Sequence, residues 1–186
     1  MIMKRMLMLV LVAASAAAFG ADKMEDAKME KAIVAGGCFW GVEALFQELD
    51  GVVDTTVGYT GGHTENPTYR DICSHGTGHA EGVEVVFDPD KVTYEEILAY
   101  FWRLHDPTTM NRQGPDRGDQ YRSAIFYLSP EQKAAAEKVQ PEAQKDWKKP
   151  IVTEIVPATI FYPAEDYHQD YSKKHGGGHG CHYLRD

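Results

Sequence analysis

The hydrophobic pattern changes period at a pair of glycines. Ala32-Ile33-Val34-Ala35 is a continuous apolar run ended by Gly36-Gly37, which reads as a short buried strand. From Cys38 onward the apolar residues are Phe39, Val42, Leu45, Phe46 and Leu49. Spacings of three and four are helical, and Gly51 is placed to stop the helix. A strand that gives way to a helix within two residues restricts the chain to mixed α and β folds. It also fixes Cys38 at the junction.

The rest of the chain alternates in the same manner. Val52 to Tyr59 reads as a strand, and Thr60 to Thr68 as a loop rich in Gly, Thr and Pro. Tyr69 to Cys73 is long enough for a helical turn. Glu81 to Phe87 alternates, with Val83, Val85 and Phe87 on one face, and ends at the turn Asp88-Pro89-Asp90. Thr93 with Glu96 forms a capping box for a helix running to about His105. Asp106 to Gln120 has no period and reads as a long functional loop. A strand over Ser123–Leu128, a helix opened by Ser129-Pro130 and closing near Gln140, and a strand over Ile151–Val156 follow. Pro163–Lys174 holds a last short helix, and the tail from His175 is rich in Gly and His. Strands and helices mix without a regular parallel βαβ cadence, so the expected class is an α+β sheet with helices on its faces. There is no internal repeat and no second domain boundary; one domain is expected over residues 31–186, behind a flexible lead-in over 21–30.

The first twenty residues stand apart. Lys4 and Arg5 precede an apolar run from Met6 to Phe19, and Ala18-Phe19-Gly20 offers small residues before a cut at Ala21. The run is short for a membrane span, so it reads as a cleaved secretory signal peptide. The expected location is the periplasm or the exterior, an oxidising setting. Lys4 and Arg5 are the only charges lost on cleavage, so the formal charge moves from −9 to −11. Such an acidic chain does not suit nucleic acid as a partner. Nothing in the sequence suggests more than a monomer, or stable membrane insertion after cleavage.

The three cysteines are Cys38, Cys73 and Cys181. An odd number in an exported protein leaves at least one thiol unpaired within the chain. Cys38, at a helix start after two glycines, sits where backbone N–H groups favour thiolate over thiol. Its alternative is a small buried hydrophobe. Phe39 and Trp40 point about 100° apart on a helix, so one can enter the core while the other walls a pocket. Glu81 would hold a proton near neutrality if it stood at the mouth of an apolar pocket; by spacing alone it reads as a solvated strand edge. Tyr69, Asp116 and Tyr121 lie in or beside loops and carry little signal singly.

Taken together, five blocks resemble the A-type methionine sulfoxide reductases. They are Gly36-Gly37-Cys38-Phe39-Trp40-Gly41-Val42-Glu43; Gly58-Tyr59 with Asn66-Pro67-Thr68-Tyr69; Thr77-Gly78-His79-Ala80-Glu81; Gln113-Gly114, Asp116 and Gly118 with Gln120 to Ile125; and Phe161 to Tyr171. They run in family order from about Ile33 to Tyr171. The resemblance implies a two-layer α/β plait (ferredoxin-like) with a long coil-rich C-terminal segment. It implies Cys38 as nucleophile, Glu81 as the acid that protonates the sulfoxide oxygen, and Cys181 as the resolving thiol. Phe39 and Trp40 would hold the sulfoxide methyl group, with Tyr69, Asp116 and Tyr121 binding and polarising the sulfoxide. The implied substrates are free methionine sulfoxide and oxidised proteins, and the implied reductant is an external thioredoxin-like dithiol, with no metal and no organic cofactor.

Some features depart from the family pattern. Many members carry a further cysteine beyond the position of Cys181; this chain ends in Tyr183-Leu184-Arg185-Asp186 without one. Asp119 stands where a small hydroxyl residue is common. Cys73 is expected as a buried thiol outside the cycle. Two other readings compete: a cysteine hydrolase built on a Cys–His pair, and a binding protein whose His175, His179, Cys181 and His182 hold a metal.

Overall fold

A computed structural model describes residues 28–186; the signal-peptide reading of residues 1–20 lies outside them. The elements in chain order are β1 (Glu30–Gly36), α1 (Phe39–Phe46), β2 (Val52–Thr60), α2 (Tyr69–Cys73), β3 (Ala80–Phe87) and α3 (Tyr94–Leu104). There follow β4 (Arg112–Gln113), β5 (Asp116–Arg117), β6 (Ser123–Tyr127), α4 (Pro130–Ala143), β7 (Glu154–Pro157), β8 (Tyr162–Pro163) and α5 (Tyr171–His175). Six strands form one sheet in the order β7-β6-β1-β3-β2-β8; β4 and β5 make a separate hairpin. All neighbours in the main sheet are antiparallel except β6 and β7.

Alternation along the strands sorts the core into two faces. Ala32, Val34, Val83, Val85, Phe87 and Ile125 pack with Phe39, Val42, Leu45 and Phe46 of α1 and with Ile97, Leu98, Phe101 and Trp102 of α3. Ile33, Ala35, Ala80, Ala124 and Phe126 face the other way, against Val156, Ala158 and Phe161. Each large apolar side chain fully buried in this manner stabilises the fold by roughly 1.5–3 kcal/mol. The Thr93 capping box expected for α3 is present, with Thr93 Oγ1 accepting from the Glu96 N–H and Glu96 bonding the Thr93 N–H in return.

Antiparallel pairing also decides where the chemistry collects. Gly36 pairs with Ser123, Tyr59 with Glu81, and Thr60 with Ala80. The ends of β1 and β2 and the beginnings of β3 and β6 therefore share one edge of the sheet.

Several boundaries differ from expectation. Glu30 is not part of a flexible lead-in; it pairs with Phe87 as the first residue of β1. The loop from Asp106 to Gln120 is not structureless. It contains the β4–β5 hairpin, and Thr108 and Thr109 cross-brace it through Asp106 and the Arg112 carbonyl. α4 continues through Pro141 to Ala143. The expected strand at Ile151 pairs only from Glu154, because the Val152 N–H is taken by the Pro107 carbonyl. β8 has no sequence signal, since two residues cannot show a period.

Candidate active site

Cys38 is the N-cap residue of α1. The chain reaches it through Gly37, whose φ of 103° is in the range that favours glycine. A Cβ at Gly37 would also meet the Gln113 side chain at 2.6 Å, so the β4–β5 hairpin closes on the chain immediately before the thiol. Phe39 turns into the core and is 1% exposed, while Trp40 remains at the surface of the cleft. The two aromatics thus separate as their helical positions require.

Glu81 is the principal correction to the reading by spacing. It is not a solvated edge residue but is 2% exposed. The period of two that places Val83, Val85 and Phe87 inward also places Glu81 inward, at the end nearest α1. Its Oε2 accepts the Phe39 backbone N–H at 3.1 Å. Burial raises its pKa to about 8; the Phe39 N–H lowers it and the nearby Asp116 carboxylate raises it. Glu81 therefore carries a proton at neutral pH.

The helix start does not make Cys38 a resting thiolate. Burial, and then the charges of Glu81 and Asp116, push its pKa up to about 12, against the lowering effect of the Trp40 backbone N–H. One amide bond at the start of an eight-residue helix is outweighed by loss of water and two carboxyl groups. The proton on Glu81 relieves one of these repulsions.

Burial raises the pKa of the Tyr69 and Tyr121 phenols, and the neighbouring Glu81 and Cys38 groups act in the same direction. Both hydroxyls are thus available as proton donors across the neutral range. Tyr69 opens α2, and its backbone N–H is held by Glu165 at 3.0 Å; Glu165 also accepts from the Tyr59 hydroxyl at 3.0 Å. Cys73 is exposed, not buried. Only Ile72 of α2 enters the core, so the thiol one residue on faces outward.

A cleft of about 410 Å³ is lined by Cys38, Trp40, Asp116, Tyr171 and Cys181 among others. The three cysteines are free thiols. Cys181 Sγ lies 3.9 Å from the Asp116 carboxylate and 3.9 Å from the Gln113 carbonyl. Burial and Asp116 raise its pKa. Of the expected site residues, Cys38, Trp40, Asp116 and Cys181 line this cleft; Glu81 bonds the Phe39 N–H next to it, and Tyr69 and Tyr121 are electrostatic neighbours of Cys38 and Glu81.

Other residues of the site carried no signal of their own. His168, 1% exposed, lies among the rings of Phe39, Trp40 and Tyr69, and its Nδ1 accepts the Trp40 indole N–H at 3.1 Å. Tyr171 stacks on Trp40 with centroids 3.6 Å apart. The dense aromatic block from Phe161 to Tyr171 was the available clue, but spacing gave no roles within it.

The tail histidines have separate occupations. His175 bonds the Tyr171 carbonyl, His179 bonds Glu48, and His182 bonds the Gly36 carbonyl. Among the described residues no group of three or more His, Cys, Asp or Glu is placed to hold a metal ion. The charged neighbours of Cys38 are carboxyl groups, which is not the Cys–His pairing of a cysteine hydrolase.

The chain is 59% identical over 150 residues to the peptide methionine sulfoxide reductase MsrA of Methanosarcina acetivorans, covering 80% of each. Among solved structures it is similar to reduced Mxr1 from Saccharomyces cerevisiae, with a TM-score of 0.82, 38% identity and coverage of 87% of this chain and 95% of that one. It is also similar to Mxr1 in complex with Trx2, with a TM-score of 0.60, 30% identity and coverage of 90% and 97%. The sequence profile of the family described as peptide methionine sulfoxide reductase matches residues 30–186, and the chain belongs to that family.

Proposed function

We propose that the chain reduces the S epimer of methionine sulfoxide, free or within proteins, with Cys38 as nucleophile, Glu81 as acid and Cys181 as resolving thiol. The observation that carries this reading is a buried carboxyl, Glu81, fixed by the Phe39 N–H with its pKa raised to about 8, next to the half-buried thiol of Cys38, which lines the cleft. A sulfoxide sulfur becomes electrophilic when its oxygen is protonated. Glu81 supplies that proton, and the hydroxyls of Tyr69 and Tyr121 stabilise the charge that develops on oxygen. Asp116 borders the same space. Trp40 offers the methyl group an apolar wall, with the buried Phe39 ring 6.4 Å from its own.

As the Glu81 proton moves to the sulfoxide oxygen, the Cys38 sulfur attacks the sulfoxide sulfur and its own proton passes to the Glu81 carboxylate, which restores the acid. The oxygen ends on Cys38 as a sulfenic acid, and the thioether departs reduced. Cys181 then condenses with the sulfenic acid to form a disulfide and water. Reduction of that disulfide by a dithiol completes the cycle. All the electrons come from thiols, and the complex of the similar Mxr1 with Trx2 supports a thioredoxin-type reductant here.

The strand order β6-β1-β3-β2, with α1 and α3 on one face, supports reading the core as an α/β plait whose C-terminal segment is mainly coil. The pattern of residues 1–20 supports export to the periplasm or beyond. The decisive experiment is turnover of the separated sulfoxide epimers with dithiothreitol. Consumption of the S epimer alone is expected; equal consumption of both, or of neither, would overturn the proposal.

A further inference from the structure

Cys181 is held unequally on its two sides. Before it, a Cβ added at Gly176, Gly177, Gly178 or Gly180 would meet nothing within 4 Å, so these glycines are unpacked, and the run is tied through the His179 ring to Glu48 and the Gly178 carbonyl to Ser172. After it the chain is fastened. The buried His182 ring bonds the Gly36 carbonyl at 2.8 Å. Arg185 then closes on the end of α3. Its backbone N–H donates to the Arg103 carbonyl at 3.1 Å, and its own carbonyl accepts from Arg103 Nε at 2.7 Å. Its Nη1 donates to the carbonyls of Arg103 and His105 at 3.0 and 2.7 Å. The guanidinium lies 4.9 Å from the Trp147 ring and 4.5 Å from the Tyr183 ring.

The carbonyls that Arg185 takes are those a helix end leaves without partners, and the negative end of the helix favours a cation there. The same helix end supports Cys38. A Cβ at Gly36, two residues before the thiol, would meet Phe101 at 3.0 Å and His105 at 3.1 Å. Both cysteines are therefore referenced to one rigid corner of the core, Cys38 through Gly36 and Cys181 through Arg185.

We propose that Arg185 is a positioning residue for the second chemical step, the clamp that keeps Cys181 at high local concentration beside the Cys38 sulfenic acid. The inference rests on the reading of Cys181 as resolving thiol. In that step the Cys38 S–O bond breaks, the S–S bond forms, and the hydroxyl leaves as water with the proton of Cys181. Arg185 touches no reacting atom. It sets the encounter rate of two groups joined by chain, which falls when the joining segment loses its anchor.

The test mixes the full reduced chain with methionine sulfoxide without reductant and follows methionine release, disulfide formation and capture of sulfenic acid by dimedone. For Arg185→Ala we expect methionine release within twofold of the parent, disulfide formation about tenfold slower, and more dimedone adduct. Arg185→Lys should fall between, since an ammonium keeps the charge but lacks the planar fork. Disulfide formation at the parental rate in Arg185→Ala would overturn the clamp. Slowing of both steps in equal measure would also overturn it, marking Arg185 as structural only. Cys181→Ser run in parallel separates the two claims: normal recycling by a dithiol protein in that variant would remove the resolving role, whatever Arg185 does.

Discussion

Cys38 and Cys181 line one cleft but are held by different means. Cys38 is set by the regular core: β1 delivers it, a glycine with positive φ aims it, α1 begins at it, and Glu81 of β3 stands beside it. Cys181 belongs to no helix or strand; it lies against the β4–β5 hairpin, between a glycine-rich run and a chain end fastened by His182 and Arg185. The first step needs a carboxyl to lose water and keep a proton, which only a fixed, dry site provides. The second needs one sulfur to travel to another, which requires slack in the chain. The contrast teaches that rigidity here follows the chemistry of each step.

The sharpest way to break the comparison is Cys38→Ser. All sulfoxide reduction should be lost, with no methionine detected by chromatography even at long times; retained turnover would move the first step elsewhere. Glu81→Gln should come next, slowing methionine release in a single turnover by about 10²–10⁴-fold. In the parent that rate should fall as pH rises through about 8, because the acid is then ionised. The variant should lose that limb of the profile. Cys181→Ser should leave the first methionine released at the parental rate but stop repeated turnover with a thioredoxin-type reductant, as read by continued methionine production.

The smallest effect concerns stability. The pKa of Glu81 is raised on folding, so the native state binds more protons than the unfolded one between about 4.5 and 8. Stability is then greatest below that window and is lost as pH rises through it. Glu43, buried beside Thr55 and raised to about 7, acts in the same direction. Glu81→Gln should therefore be more stable than the parent at pH 8, by on the order of a few kcal/mol, and the difference should shrink toward pH 5. Thermal melts at the two pH values measure it. An equal difference at both would mean that Glu81 is not held protonated by its surroundings.

Much of this molecule was legible in the chain alone. The Gly36-Gly37-Cys38 junction, the α3 capping box and the alternation of β3 are local patterns, set by helical and strand periods that need only neighbouring residues. The inward face of Glu81 was implicit in that alternation as well. What only tertiary structure decided was ionisation and encounter. Cys38 is a protonated thiol rather than a thiolate because carboxyl groups from other elements and the loss of water act through space. Cys73 is exposed because α2 turns only Ile72 inward, and His168 and Arg185 gained roles from partners 128 and 80 residues away in the sequence. Periodicity records which way a side chain points; its charge and its neighbours depend on everything that packs around it.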